Sequence, residues 1–81
     1  QVSDGAVASL LMTRATATRL GLRPLGVFRS YAVVGVPPEI MGIGPAVAIP
    51  VAVARAGLGL GDVDVFELNE AFASQATYCI K

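Results

Sequence analysis

The stretch "GDVDVFELNEAFASQ" (residues 61–75) decides the predicted fold, because the sequence pattern changes at its centre. Residues 58–68 have the composition of a turn followed by a buried strand, whereas residues 69–81 are predicted to form a helix. The polar pair Asn69 and Glu70 lies at the junction. A buried strand that runs directly into a helix is the building unit of an α/β sheet.

The same alternation extends through the rest of the chain. Apolar or β-branched runs predict three strands, at residues 2–12, at residues 24–36 and after a turn within residues 58–68. The Ala and Leu residues of the first run would also suit a helix. Helical spacing predicts three helices, at residues 13–22, 46–57 and 69–81. Thr13 is the expected N-cap of the first helix, and Gly21 and Gly57 are expected just past the ends of the first and second. Pro50 is expected in the first turns of the second helix, where a missing N–H costs little.

The element order β-α-β-α-β-α predicts the α/β class, with a largely parallel sheet and helices on its faces. Residues 1–81 are expected to be one incomplete portion of a layered domain. Ligands of such sheets collect outside the carboxyl ends of the strands. Asn69 is predicted to lie in that zone, as are the Gly-rich residues 42–45 of a predicted loop at residues 37–45.

The composition is too apolar for a small domain that stands alone. Of the 81 residues, 54% are hydrophobic and 15% are charged, whereas soluble domains carry about 25% charged residues. We therefore expect a piece of a larger protein whose other faces are covered by further chain or by partner subunits. The start at Gln1 and the end at "YCIK" agree with this expectation.

The charge pattern argues against nucleic-acid and membrane partners. Six basic and six acidic residues give a formal net charge of zero, without a charged run. The longest uncharged run, residues 40–54, is shorter than the roughly 18 residues that a membrane-spanning helix needs. We therefore predict neither nucleic acid nor membrane as a partner.

Asn69 has two interpretations at this stage. An amide at a helix N-terminus caps the helix by accepting a hydrogen bond from a free backbone N–H. Alternatively, its NH₂ group points outward and holds a water or a developing oxyanion. Glu70 would lie in the first helical turn, where a carboxylate is favoured by the helix dipole.

The chain lacks the other groups that covalent catalysis needs. It contains no His, so neither a Cys–His nor a Ser–His pair can form within it. Cys79 lies in an apolar helix and is interpreted as a structural thiol. The acidic residues are scattered, so no metal site is predicted. Gly42 and Gly44 are not followed by a third glycine at the spacing of a dinucleotide fingerprint.

Three motifs together resemble the thiolase family: "SDGA" (3–6), "MGIGPA" (41–46) and "NEAFA" (69–73). They occur in the family's order, and the stretch at residues 31–58 is similar to the peroxisomal 3-ketoacyl-CoA branch of that family. The resemblance covers essentially the whole chain. It implies the opening portion of the C-terminal half of a thiolase, so that residues 1–81 are a partial thiolase C-terminal domain.

The resemblance also implies a function. Thiolases cleave a 3-ketoacyl-CoA with free CoA, or run the reverse condensation, so coenzyme A is a substrate and no cofactor is expected. In the family, the asparagine of the Asn-Glu-Ala-Phe motif holds a water that helps a histidine form an oxyanion hole, which implies a catalytic role for Asn69. Met41 and Phe72 match residues that line the acyl pocket. A homodimer or homotetramer is implied for the full-length form, in the peroxisome or, alternatively, the mitochondrion.

The matched motifs leave most of the family's catalytic machinery outside this chain. The nucleophilic cysteine, the Gly-His-Pro histidine and the acid/base cysteine have no counterpart here, and Cys79 matches neither cysteine motif. The chain alone is therefore expected to be inactive. Two alternatives remain open: a short non-catalytic form that interacts through exposed apolar faces, and another condensing enzyme of the thiolase fold.

Overall fold

The structure, a computed structural model, describes residues 3–81, so Gln1 and Val2, including the first residue of the predicted first strand, lie outside the described residues. The described part contains helices α1 (Arg14–Arg19), α2 (Gly44–Arg55) and α3 (Ala73–Ile80). Two 3-10 helices, Pro38–Ile43 and Leu60–Asp62, accompany them. Each α-helix lies in or overlaps one of the three segments predicted to be helical.

Helix α1 begins and ends where its sequence signals predict. The Thr13 hydroxyl oxygen accepts a hydrogen bond from the Thr16 N–H over 3.2 Å, which satisfies one of the free donors of the first turn. Gly21 has a φ of 65°, a left-handed conformation that favours glycine. The Leu22 N–H donates to the Ala17 carbonyl over 2.9 Å, which completes the hydrogen-bond pattern of a Schellman motif.

Helix α2 ends in the same way but begins earlier than predicted. Gly57 has a φ of 75°, and the Leu58 N–H donates to the Val53 carbonyl over 3.1 Å. Pro45 lies at the N-terminus, where a missing N–H is tolerated. Pro50 lies in the second turn and leaves the Ala46 carbonyl without its usual helical donor.

Helix α3 begins later than predicted, which corrects the local assignment of Asn69. The N-cap is Phe72, with extended angles of φ −142° and ψ 137°, and no side chain caps the helix. The Phe72 N–H donates instead to Gln75 Oε1 over 3.4 Å. Asn69 therefore does not cap α3, and Glu70 does not lie in its first turn. The spacing of three residues between Asn69 and Phe72 would place both on the same side of a helix start, but residues 69–72 are not helical, so this interpretation is wrong.

Residues 37–45 are largely helical, whereas their Pro and Gly content predicts a loop. Pro38 starts the 3-10 helix, and the chain continues into α2 after a kink at Ile40 (φ −125°, ψ 31°). The joined stretch Pro38–Arg55 has 18 residues and a mean hydropathy of 1.2, so by length and composition alone it could cross a membrane. Core helices of soluble proteins pass the same test.

The described residues form no β-strand, so the α/β prediction is not confirmed by hydrogen-bonded ladders. A strand needs a neighbouring strand, and none of the three predicted segments pairs with another within residues 3–81. Residues 30–36 nevertheless keep the period of two that is typical of a strand: even-numbered residues are half-buried and odd-numbered ones are exposed. This segment lies on α2, where Arg55 Nη1 donates to the Tyr31 carbonyl over 2.9 Å.

The chain leaves much more surface uncovered than a complete domain of its size. Its accessible surface is 7241 Å², whereas a folded 8.3 kDa protein exposes about 4,600 Å². Its radius of gyration is 16.3 Å, compared with about 12 Å for a compact domain of this length. Among the residues that the structure describes, only Ala17 (5% exposed) and Ala76 (8%) are buried apolar side chains. The apolar faces therefore require further polypeptide to cover them.

Candidate functional site

The two predicted site motifs lie on elements that contact each other. The carbonyl oxygen of Gly42, in the 3-10 helix, accepts a hydrogen bond from Cys79 Sγ in α3 over 3.6 Å. A Cβ atom at Gly42 would lie 3.0 Å from both Cβ and Cγ of Gln75. Carbon atoms normally pack at about 3.5–4.0 Å. The absence of a side chain at Gly42 therefore permits the close approach of α3.

Met41 and Phe72, the predicted pocket-wall residues, lie at the two sides of this contact. Met41 precedes Gly42 in the 3-10 helix and is 66% exposed. Phe72 is the N-cap of α3 and is 64% exposed. Both apolar side chains thus project from packed elements into open space, so they are available to contact a ligand or the rest of the protein.

Asn69 lies in the irregular segment between the second 3-10 helix and α3, and it is exposed. Its sequence neighbours Leu68 and Glu70 both line a groove, whereas Asn69 itself does not. The amide is therefore not packed among hydrocarbon side chains. An exposed amide that makes no hydrogen bond within residues 3–81 can donate one to a water or an oxyanion.

The groove lies between α2, the segment around residues 60–70 and α3, and its volume is about 1,020 Å³. Most of its lining is apolar: Ala46, Ile49, Pro50, Leu60, Phe66, Leu68, Ala76 and Ile80. Glu67, Glu70 and Lys81 contribute charged side chains. None of the three predicted site residues lines it. Its breadth and apolar lining fit a packing face left uncovered. Among the predicted site residues, Asn69 is flanked in the sequence by two lining residues, Leu68 and Glu70.

Gln75 contacts residues of both predicted site motifs, Gly42 and Phe72, although the sequence did not predict a role for it. Its Oε1 accepts from the Phe72 N–H over 3.4 Å, and its Nε2 donates to Cys79 Sγ over 3.9 Å. Its Cβ and Cγ also lie against Gly42. The available signal was its position three residues after Phe72, because Gln at N3 reaches back to the N-cap N–H.

No group of three or more potential metal ligands is present within residues 3–81. Cys79 is a free thiol of intermediate exposure. Its contacts with Gly42 and Gln75 agree with the interpretation of a structural thiol.

Residues 22–81 match the family model described as the C-terminal domain of thiolase. The match includes both the 3-10 turn with Met41 and the Asn69–Phe72 segment. The chain belongs to the thiolase family. The predicted membership of the thiolase family is thereby confirmed, and residues 22–81 belong to its C-terminal domain. That residues 1–21 are part of the same domain stays a prediction, and the described residues alone do not form a sheet.

Similar proteins extend the match to the whole chain. The chain is 70% identical over 81 residues to the human protein named peroxisomal 3-ketoacyl-CoA thiolase. It is 68% identical over 81 residues to the rat protein named peroxisomal 3-ketoacyl-CoA thiolase B, and 67% identical to a Petunia hybrida protein named peroxisomal 3-ketoacyl CoA thiolase 1. The matches cover 100% of this chain but 18–19% of the relatives' length. The chain thus spans about a fifth of the length of these thiolases.

Proposed function

We propose that this segment is part of an acetyl-CoA C-acyltransferase that cleaves 3-ketoacyl-CoA with CoA in peroxisomal fatty-acid β-oxidation. The observation that carries the proposal is the 67–70% identity, over the full segment, to proteins named peroxisomal 3-ketoacyl-CoA thiolases. At this identity a segment normally keeps both its fold and the function of its protein. The segment would supply an oxyanion-hole amide and part of the acyl-pocket wall.

Asn69 is the proposed catalytic residue. Cleavage of a 3-ketoacyl-CoA breaks the bond between C2 and C3, and the electron pair of that bond passes to the acetyl-CoA fragment, where negative charge develops on the thioester carbonyl oxygen. A hydrogen-bond donor stabilises that charge in the transition state. The exposed amide of Asn69 can provide this donor through a bound water. Because the chain contains no His and only one Cys, the nucleophile and the acid/base groups must come from the rest of the enzyme.

Met41 and Phe72 are proposed to form part of the acyl-pocket wall. Both are apolar, exposed and carried by elements that pack against each other at Gly42. An acyl chain that contacts them would be removed from water, which stabilises binding by about 25 cal/mol per Å² of apolar area. The substrates proposed are therefore 3-ketoacyl-CoA and CoA, and no additional cofactor is assigned.

The α/β architecture is proposed for the complete protein. Residues 30–36 have strand-like alternation, and their backbone has no ladder partner within the described residues. Neighbouring strands from the rest of the C-terminal domain would satisfy these backbone groups. Covering the remaining apolar faces would then complete the layered domain, in a homodimer or homotetramer.

Thiolysis by the full-length protein that carries this segment tests the proposal. We expect a 3-ketoacyl-CoA, such as acetoacetyl-CoA, to be consumed with free CoA and to yield acetyl-CoA. The separately produced 81-residue chain serves as the matched control and should give no turnover. A full-length protein without thiolysis, or an active isolated chain, would contradict the proposal.

A further inference from the structure

Gln75 contacts both elements that carry the predicted pocket-wall residues, Met41 and Phe72. The sequence did not predict Gln75 itself as a site residue. Its Oε1 holds the backbone N–H of Phe72 over 3.4 Å. Its Cβ and Cγ lie against the backbone of Gly42, next to Met41. One side chain therefore links the turn that carries Met41 to the start of the helix that carries Phe72.

Cys79 reinforces this link from the next turn of α3. It accepts from Gln75 Nε2 over 3.9 Å and donates to the Gly42 carbonyl oxygen over 3.6 Å. Residues four apart on a helix lie on the same face. Gln75 and Cys79, both half-buried, thus form one contact surface for Gly42. We call these three residues the Gly42 clamp.

We propose that the Gly42 clamp is a positioning device that fixes Met41 and Phe72 relative to each other and so determines which acyl chain lengths the enzyme accepts. This inference rests on the proposed thiolase function. Gln75 and Cys79 touch no reacting atom in this proposal, because they act through the wall residues. Loosening the clamp should displace the wall, and even small displacements matter in a site that depends on close packing.

The consequence should depend on the length of the acyl chain. A long 3-ketoacyl chain contacts more of the wall than acetoacetyl-CoA does, so it loses more binding when the wall moves. Wall contacts are made equally in the ground state and the transition state, so KM should rise while kcat changes little. This pattern differs from that of Asn69, whose loss should lower kcat.

The test compares alanine at two neighbouring glycines in the full-length enzyme. Gly42→Ala places a Cβ 3.0 Å from Gln75, whereas Gly44→Ala meets nothing within 4 Å in this chain. We expect Gly42→Ala to lower kcat/KM for a long-chain 3-ketoacyl-CoA roughly tenfold relative to acetoacetyl-CoA, the lower end of what one methylene in a pocket is worth. Gly44→Ala should leave the ratio of the two kcat/KM values, long-chain 3-ketoacyl-CoA over acetoacetyl-CoA, unchanged.

Two substitutions of Gln75 keep the proposal testable if Gly42→Ala does not fold. Gln75→Ala removes atoms instead of adding them, and it should shift the ratio in the same direction. Gln75→Glu keeps the packing against Gly42 and the acceptor for the Phe72 N–H, and it loses only the Nε2 donor to Cys79. Its ratio should therefore lie closer to that of the parent than the ratio of Gln75→Ala does. Thermal unfolding of each variant separates this effect from a general loss of stability.

The outcomes distinguish this proposal from the proposed function. An active parent whose chain-length ratio is the same in Gly42→Ala and Gln75→Ala would overturn the clamp but leave the thiolase function intact. A ratio that shifts equally in Gly44→Ala would also overturn it. A full-length parent with no thiolysis of either substrate would overturn the proposed function and, with it, the role of the clamp.

Discussion

The Ser30 hydroxyl donates a hydrogen bond to the Ala52 carbonyl oxygen over 2.6 Å and joins an extended segment to helix α2. The same carbonyl also accepts from the Ala56 N–H over 3.1 Å within the end of the helix. With the Arg55–Tyr31 hydrogen bond, this contact aligns residues 30–36 along α2. An extended segment thus packs on a helix, which is the arrangement expected for a strand of the proposed α/β layer.

Ser30→Ala should destabilise the full-length protein by about 1 kcal/mol, the usual net value of one intramolecular hydrogen bond. The Ser9→Ala substitution is the matched control, since it removes the same hydroxyl group from an exposed residue outside the helices. Chemical denaturation of both variants measures the difference. Equal stability of the two variants would show that the Ser30 contact contributes nothing.

The N-cap of α1 offers a second stability test. Thr13→Ala removes the oxygen that accepts from the Thr16 N–H, and should cost about 1 kcal/mol of unfolding free energy. Thr13→Ser keeps the acceptor and should retain most of the parental stability. A serine variant as unstable as the alanine variant would assign the loss to the Thr13 methyl group instead of the cap.

The helices were predictable from sequence where local chemistry decides their ends. Thr13, Gly21 and Gly57 act through their own backbone angles and neighbouring N–H groups, so the sequence alone indicates those boundaries. The predicted start of α3 was wrong. Asn69 is a residue type that suits an N-cap, but the N-cap in the structure is Phe72, and Gln75 Oε1 accepts a hydrogen bond from the Phe72 N–H.

Strands and the site were less predictable, because both depend on distant residues. Residues 30–36 show the alternation of a strand, but a ladder requires a partner that residues 3–81 do not provide. The contact of Gly42 with Gln75 and Cys79 joins residues more than 30 positions apart. Periodicity along the sequence carries no information about such a contact.

Asn69→Ala should lower kcat of the full-length enzyme by about a hundred- to a thousandfold, the range for losing one oxyanion-hole donor. Because Asn69 does not cap α3, the thermal unfolding temperature of the Asn69→Ala variant should stay close to that of the parent. Asn69→Asp, which keeps the shape but loses the NH₂ donor, should lose activity to a similar degree. A variant with normal turnover and reduced stability would support a purely structural role.

Backbone amides of residues 30–36 should be protected from hydrogen exchange in the full-length protein. The alternating exposure of these residues fits a strand, and a strand in a sheet exchanges slowly because its N–H groups are bonded to neighbours. Hydrogen–deuterium exchange with peptide mass spectrometry measures this directly. Exchange as fast as that of an unfolded peptide would contradict the proposed sheet.

The isolated 81-residue chain should associate or remain expanded instead of folding into a compact monomer. It exposes 7241 Å², about 2,600 Å² more than a complete domain of its mass should. Several large apolar side chains contribute to that excess, including Leu10, Leu25, Val33 and Phe66. Analytical ultracentrifugation of the chain and of the full-length protein measures the difference. A sharp cooperative unfolding transition from a monomer with a radius of gyration near 12 Å, the value for a compact domain of this length, would show that the exposed faces need no partner.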